Sequence, residues 1–123
     1  MAGIGAGRER EEVLERLGAL LDQARVQRRT MTYLEVADAL AIEPPHRIHK
    51  TTRLIEILLN EDARAGRPIR SALAVSRIRN GRPAPGFFDR ARRLGLFDGN
   101  DPEGFHDRLL GELFADGTDA DNQ

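Results

Sequence analysis

The side chains in this sequence best suited to chemistry are its histidines and its clustered arginines. His46 and His49 stand three positions apart, the spacing that places two imidazoles on one face of a helix. Such a pair can begin a metal site, but the third histidine, His106, lies far along the chain. The chain has no cysteine, so it offers neither a thiolate ligand nor a thiol nucleophile. No carboxylate stands at ligand spacing beside His46 and His49. There is no G-x-S-x-G, no P-loop and no dinucleotide fingerprint. The sequence therefore reads as that of a non-catalytic protein with no cofactor, no metal and no small-molecule substrate. What remains is cation chemistry. His46, Arg47, His49, Lys50 and Arg53 fall within one short segment, and Arg77, Arg79 and Arg82 punctuate the stretch SRIRNGRPAPGFF at 76–88. Guanidinium, ammonium and imidazole donors in such clusters suit phosphates and base edges. A solvated basic surface is the alternative use of the same residues.

The charge distribution sharpens this. The 123 residues carry a formal net charge of −1. Residues 25–93 hold fifteen Lys and Arg against seven acids, a balance of +8, whereas residues 94–123 hold one Arg against eight acids, a balance of −7. A basic centre is what a phosphate-binding surface needs. An acidic C-terminal part can also fold back on it and compete. No apolar run approaches the roughly 18 residues of a membrane span, and the opening MAGIGAGRER lacks the pattern of a signal peptide. A cytoplasmic protein with no membrane partner is expected.

These residues need elements to hold them. Residues 1–7 are small and Gly-rich and are expected to be disordered, as is the acidic tail 116–123; a single domain is expected over 8–115. Val13, Leu14, Leu17, Leu20, Leu21 and Ala24 recur at helical spacing and predict a helix from Arg8 to about Gln27. Thr30–Thr32 is β-prone. Thr32 with Glu35 forms a capping box that opens a helix over 33–41, which Pro44-Pro45 ends. A further helix over 45–64 buries a stripe of Ile48, Thr51, Leu54, Ile55, Leu58 and Leu59, with Gly66 at its end. Residues 70–76 predict a buried strand, and Ser76–Arg82 a protruding wing with Gly81 at positive φ. Phe87 and Phe88 lock its far end into the core and begin a helix to about Leu94. A last helix covers about 102–114. The fold class is mainly α with a small β-sheet, in a winged-helix-like order of helix-turn-helix plus wing.

Two resemblances attach to these segments. Thr32-Tyr33-Leu34-Glu35-Val36-Ala37 resembles the TYGxVA segment that opens the helix-turn-helix of alkyltransferase-like proteins, winged-helix relatives of the O6-alkylguanine-DNA alkyltransferases. The likeness spans about residues 30–82. It implies that Pro44–Arg64 reads DNA, that Pro68–Ser76 replaces the family's Pro-Cys-His-Arg strand, and that Tyr33 lies near a phosphate or an extruded base. Leu34 stands where that family has Gly, and PIRSALAVS holds neither Cys nor His. The segment RPIRSALAVSRIRNGRPAPGFF is also similar to a PLTALVVNKxTGxPGxGF-like motif of small bacterial proteins of unclear role.

Together these readings predict a nucleic-acid-binding domain. Duplex DNA is its expected ligand, contacted by Tyr33, His46, Arg47, His49, Lys50, Arg53, Arg77, Arg79 and Arg82. The alternative is a protein-interaction or adaptor module on the same fold. Arginines neutralised by the acidic terminal segments would favour that alternative, and a continuous positive face would favour DNA. One chemical consequence holds in either case: with no thiolate to accept an alkyl group, incubation with O6-alkylguanine DNA should leave the protein's mass unchanged. A covalent alkyl adduct seen by mass spectrometry would contradict it.

Overall fold

Thr32 shows how the sequence sets the local structure. Its side-chain oxygen accepts the Glu35 N–H (3.1 Å), and its own N–H donates to the Glu35 carboxylate (2.8 Å). This is the expected capping box, and it starts a helix directly from a strand. In the computed structural model the backbone is described for residues 2–121 and the side chains for residues 7–115. The described elements are α1 (Ala2–Val26), β1 (Met31–Thr32), α2 (Tyr33–Ala39), α3 (Arg47–Ala65), a 3-10 segment (Arg70–Leu73), β2 (Ala74–Val75), a second 3-10 segment (Arg77–Arg79), α4 (Pro85–Arg93) and α5 (Pro102–Asp121). The protein is mainly helical, with one small sheet in which β1 and β2 run parallel, Met31 opposite Ala74 and Thr32 opposite Val75. Helices α2 and α3 form the crossover between the two strands. Among the described residues no helix is long and apolar enough to cross a membrane.

The core joins the apolar faces of these elements except the Arg77–Arg79 segment, which buries no residue. Leu17, Leu21 and Ala24 of α1 are fully buried, as the spacing predicts, and so are Leu59 of α3 and Leu73. Phe87 packs edge-on to Phe88 (5.3 Å between centroids), and Phe97 stacks on Phe105 of α5 (4.6 Å). Arg25 Nε donates to the Leu113 carbonyl (3.0 Å) and ties α1 to α5.

Several boundaries differ from the sequence reading. Helix α1 begins at Ala2 and α5 runs to Asp121. Of the segments expected to be disordered, Met1, Asn122 and Gln123, with the side chains of 2–6 and 116–121, lie outside the described residues. Helix α3 starts at Arg47 instead of Pro45 because His46 takes a left-handed conformation (φ +60°), which no helix interior accommodates. The strand expected over 70–76 is a correction of a larger kind. Only Ala74–Val75 pairs in the sheet, Ser76 forms a separate bridge, and Arg70–Leu73 coils into a 3-10 turn.

The physical reason is Asp62. This carboxylate is fully buried near the end of α3. It accepts the Arg70 N–H (3.1 Å), Arg70 Nε (3.1 Å), Arg70 NH2 (2.8 Å) and Arg67 Nε (3.1 Å). A backbone N–H drawn to a side chain cannot serve a sheet ladder. Ser71 Oγ adds a bond to the Ile55 carbonyl (2.8 Å), and the Ala72 N–H closes the turn on the Ile69 carbonyl. The same Arg70 reaches Asp22 of α1 (3.2 Å) across Gly18, where a Cβ would stand 2.9 Å from its guanidinium. Gly18 is thus the passage for this arginine.

A buried charge whose partner is removed destabilises by roughly 3–5 kcal/mol, a large part of the about 5–15 kcal/mol that holds a domain together. Arg70→Ala should therefore lower the urea midpoint far more than Arg67→Ala, because Arg67 gives Asp62 one bond and is half-exposed, whereas Arg70 gives three. Equal effects in equilibrium unfolding would contradict this arrangement.

Candidate interaction surface

The stretch at 76–84 is a rigid tip. The Ser76 N–H donates to the Arg82 carbonyl (2.8 Å) in an isolated antiparallel bridge. The Arg79 and Gly81 N–H groups both donate to the Ser76 carbonyl (3.3 Å each). Asn80 (φ +56°) and Gly81 (φ +73°) turn the chain in the left-handed region, at Gly81 as the sequence reading expects. The segment expected as a wing is a single 3-10 turn closed by one bridge.

Two side chains brace its base. The Tyr33 hydroxyl accepts the Ala84 N–H (2.8 Å). Tyr33 is only 5% exposed, and burial pushes its phenol above the ordinary value. It is a neutral structural prop at the edge of the groove, almost wholly buried, where the resemblance implied a place near a phosphate or an extruded base. Arg82 turns inward: it donates to Asp107 (2.6 Å), to the Glu103 carbonyl (3.2 Å) and to His106 Nδ1 (3.1 Å) of α5. It is not a phosphate ligand in this conformation, and the acidic C-terminal helix neutralises it.

The remaining predicted residues divide between two surfaces. Arg47 donates to the Ile42 carbonyl (2.7 Å) and to Asp38 (2.7 Å), stapling α3 to α2. Lys50 donates to the Glu43 carbonyl (2.9 Å). His49, Lys50 and Arg53 border a shallow groove of about 500 Å³ that faces α1, floored by Val13 and Leu54. His46 is exposed at the start of α3. Arg77 and Arg79 stand exposed on the tip, and their guanidinium groups make no hydrogen bond or ion pair among the described residues. Arg77 thus lines a different groove from His49, Lys50 and Arg53. Among the described residues, His, Asp and Glu side chains form no cluster of three or more that could hold a metal.

Between the tip and α3 lies a second groove, of about 590 Å³. Its apolar walls are Leu34 of α2 (48% exposed), Ile48 of α3 (43%) and Ile78 of the tip (88%). Ile48 was expected in the buried stripe. It sits in the first turn of α3, where the stripe reaches the groove instead of the core. The polar rim is Thr32, Glu35, Asp38, Ser76 and Arg77. The Thr32 N–H is the main cause that holds the Glu35 carboxyl below its ordinary range, so this acid stays ionised and engaged in the cap. Sequence reasoning overlooked these three aliphatic residues. Two signals were present: Leu34 stands where the alkyltransferase-like family has Gly, and Ile78 interrupts a run of arginines on a turn.

No family model, no curated protein and no solved structure matches this chain.

His106 gives the base of the tip a pH dependence. A guanidinium can only donate and a carbonyl can only accept. His106 Nδ1 therefore accepts from Arg82, and Nε2–H donates to the Ala72 carbonyl (2.8 Å), which requires the neutral ring. Burial is the largest cause lowering its pKa; the Arg82 charge also lowers it, against the Ala72 bond and the Asp107 charge. The unfolded chain thus takes up this proton first, at about pH 6.5. The contribution is complete above that pH and is lost as pH falls below it, by at most about 1.4 kcal/mol per pH unit. Urea unfolding from pH 7.5 down to 5.5 should show a steeper loss for the wild type than for His106→Gln. Identical slopes would contradict the assignment.

Proposed function

We propose that this protein is a non-catalytic interaction module that holds a segment of another protein in the groove formed by α2, the start of α3 and the Arg77–Arg79 tip. The order of elements supports a winged-helix-like description. A strand leads into two helices, a second strand follows, and a braced turn returns through the Ser76–Arg82 bridge. Domains of this kind serve both nucleic-acid and protein recognition, so the surface must decide.

The observation that carries the reading is the apolar wall of three exposed aliphatic side chains from three different elements. Fully burying a Leu or Ile stabilises by about 1.5–3 kcal/mol. Scaled by the exposures of Leu34, Ile48 and Ile78, a ligand that covers them gains roughly 3–5 kcal/mol before the costs of association. The cationic contribution is smaller. Arg47 and Arg82 are taken up by Asp38 and Asp107. Two arginines on the tip, unpaired among the described residues, give a salt slope of only about −2. Duplex DNA is the second reading, favoured by the exposure of Arg77 and Arg79 on a rigid turn.

Titration of labelled duplex and single-stranded DNA, followed by anisotropy over a range of salt, tests the choice. The expected result is weak binding with a log–log slope no steeper than about −2. Tight binding with a slope of about −5 or steeper, relieved in part by Arg77→Ala/Arg79→Ala, would establish the DNA reading in its place.

A further inference from the structure

The charges around the groove define its occupant further, on the reading that the groove binds protein. Three charged side chains line it: Glu35, Asp38 and Arg77. Glu35 accepts the Thr32 N–H within the capping box, at the positive end of α2. Asp38 accepts from Arg47 at 2.7 Å. Asp38 is thus ion-paired, and Glu35 is engaged through Oε1 in the cap at the far side of the groove from the tip. The Arg77 guanidinium makes no hydrogen bond or ion pair among the described residues, nor does that of Arg79, whose charge reaches the Tyr33 phenol. The Ser76 hydroxyl, half-buried beside them, also makes no hydrogen bond among the described residues. The unmet demand of the groove is thus apolar at its centre and anionic on the side of the tip.

We infer that the groove takes a peptide segment with an aliphatic or aromatic anchor followed closely by Asp or Glu. The anchor enters between Leu34, Ile48 and Ile78. The carboxylate lies over the tip and accepts from the guanidinium of Arg77 or Arg79, with Ser76 Oγ within the same rim. A basic segment fits poorly. It would set its cation against the unpaired guanidinium of Arg77 and would have to share Asp38 with Arg47. The polarity also sets direction, because the acidic side of the ligand must point away from α2 and toward the tip.

Selection from a random-peptide display library on the intact protein tests this. The enriched peptides are then synthesised and measured by calorimetry at low and high salt. Ile78→Ser and Arg77→Ala/Arg79→Ala serve as test variants, since both alter exposed side chains and should keep the wild-type melting temperature. Enrichment of apolar-acidic sequences is expected. Their affinity should fall about tenfold or more in Ile78→Ser, as for a central apolar anchor. It should fall about three- to tenfold in the double arginine variant, with that loss shrinking at high salt. Peptides that need Ile78 but carry no acid, or that bind the double arginine variant equally well, would overturn the inference and leave the docking groove standing. No enrichment, or enrichment indifferent to Ile78→Ser, would overturn both.

Discussion

The tip and its groove depend on one buried carboxylate. Asp62 has no exposed surface and satisfies itself entirely with Arg70 and Arg67, which follow it across the Gly66 turn. Removal of a charge from water is costly, and bonds to a backbone N–H and a forked guanidinium offset that cost only in one geometry. That geometry fixes where the chain goes after α3. It forces Arg70–Leu73 into a 3-10 turn, delivers Ala74–Val75 to β1, and so sets the position of Ser76, from which the tip springs. Arg70 also reaches Asp22, so α1, α3 and the strand share one electrostatic joint.

From that joint outward the tip is held at several points. The Ser76–Arg82 bridge closes it, Tyr33 receives the Ala84 N–H, and Arg82 is clasped by α5. Phe87 anchors the following helix in the aromatic cluster with Phe88 and Phe105. A rigid turn of this kind presents Ile78 without an ordering penalty on binding, which is the main advantage of preorganisation. The acidic C-terminal helix takes part through Arg82 and, among the described residues, makes no contact with the guanidinium groups of Arg77 and Arg79. The charge asymmetry between the middle and the end of the chain is thus partly consumed inside the fold.

Much of the architecture was legible in the residues themselves. The capping box at Thr32, the apolar stripe of α1 and the Phe87 anchor follow from local chemistry, and each is present, whereas α2 ends at Ala39, ahead of Pro44-Pro45, on a left-handed Ala41. The 3-10 turn at Arg70 was not legible, because its cause is a contact between residues eight positions apart through a buried side chain. A period-two or period-3.6 pattern carries no trace of such a bond. The candidate site was legible only in part. Arg77 and Arg79 are on the tip as expected, but charge alone cannot tell an arginine that faces solvent from one that, like Arg82 or Arg47, is stapled to an acid. Ile48 was assigned inward because its spacing fits the stripe; the stripe is longer than the surface that covers it.

The central claim is that the wall formed by Leu34, Ile48 and Ile78 faces a protein in the cell. Its most direct measurement is site-specific photo-crosslinking, with a photoreactive amino acid placed at position 78 and, as a control, at the exposed position 64. Irradiation of cells that make the protein should give a discrete adduct from position 78 that protease removes and nuclease does not, and no such adduct from position 64. A nuclease-sensitive adduct at 78, or the same pattern from both positions, would contradict the claim.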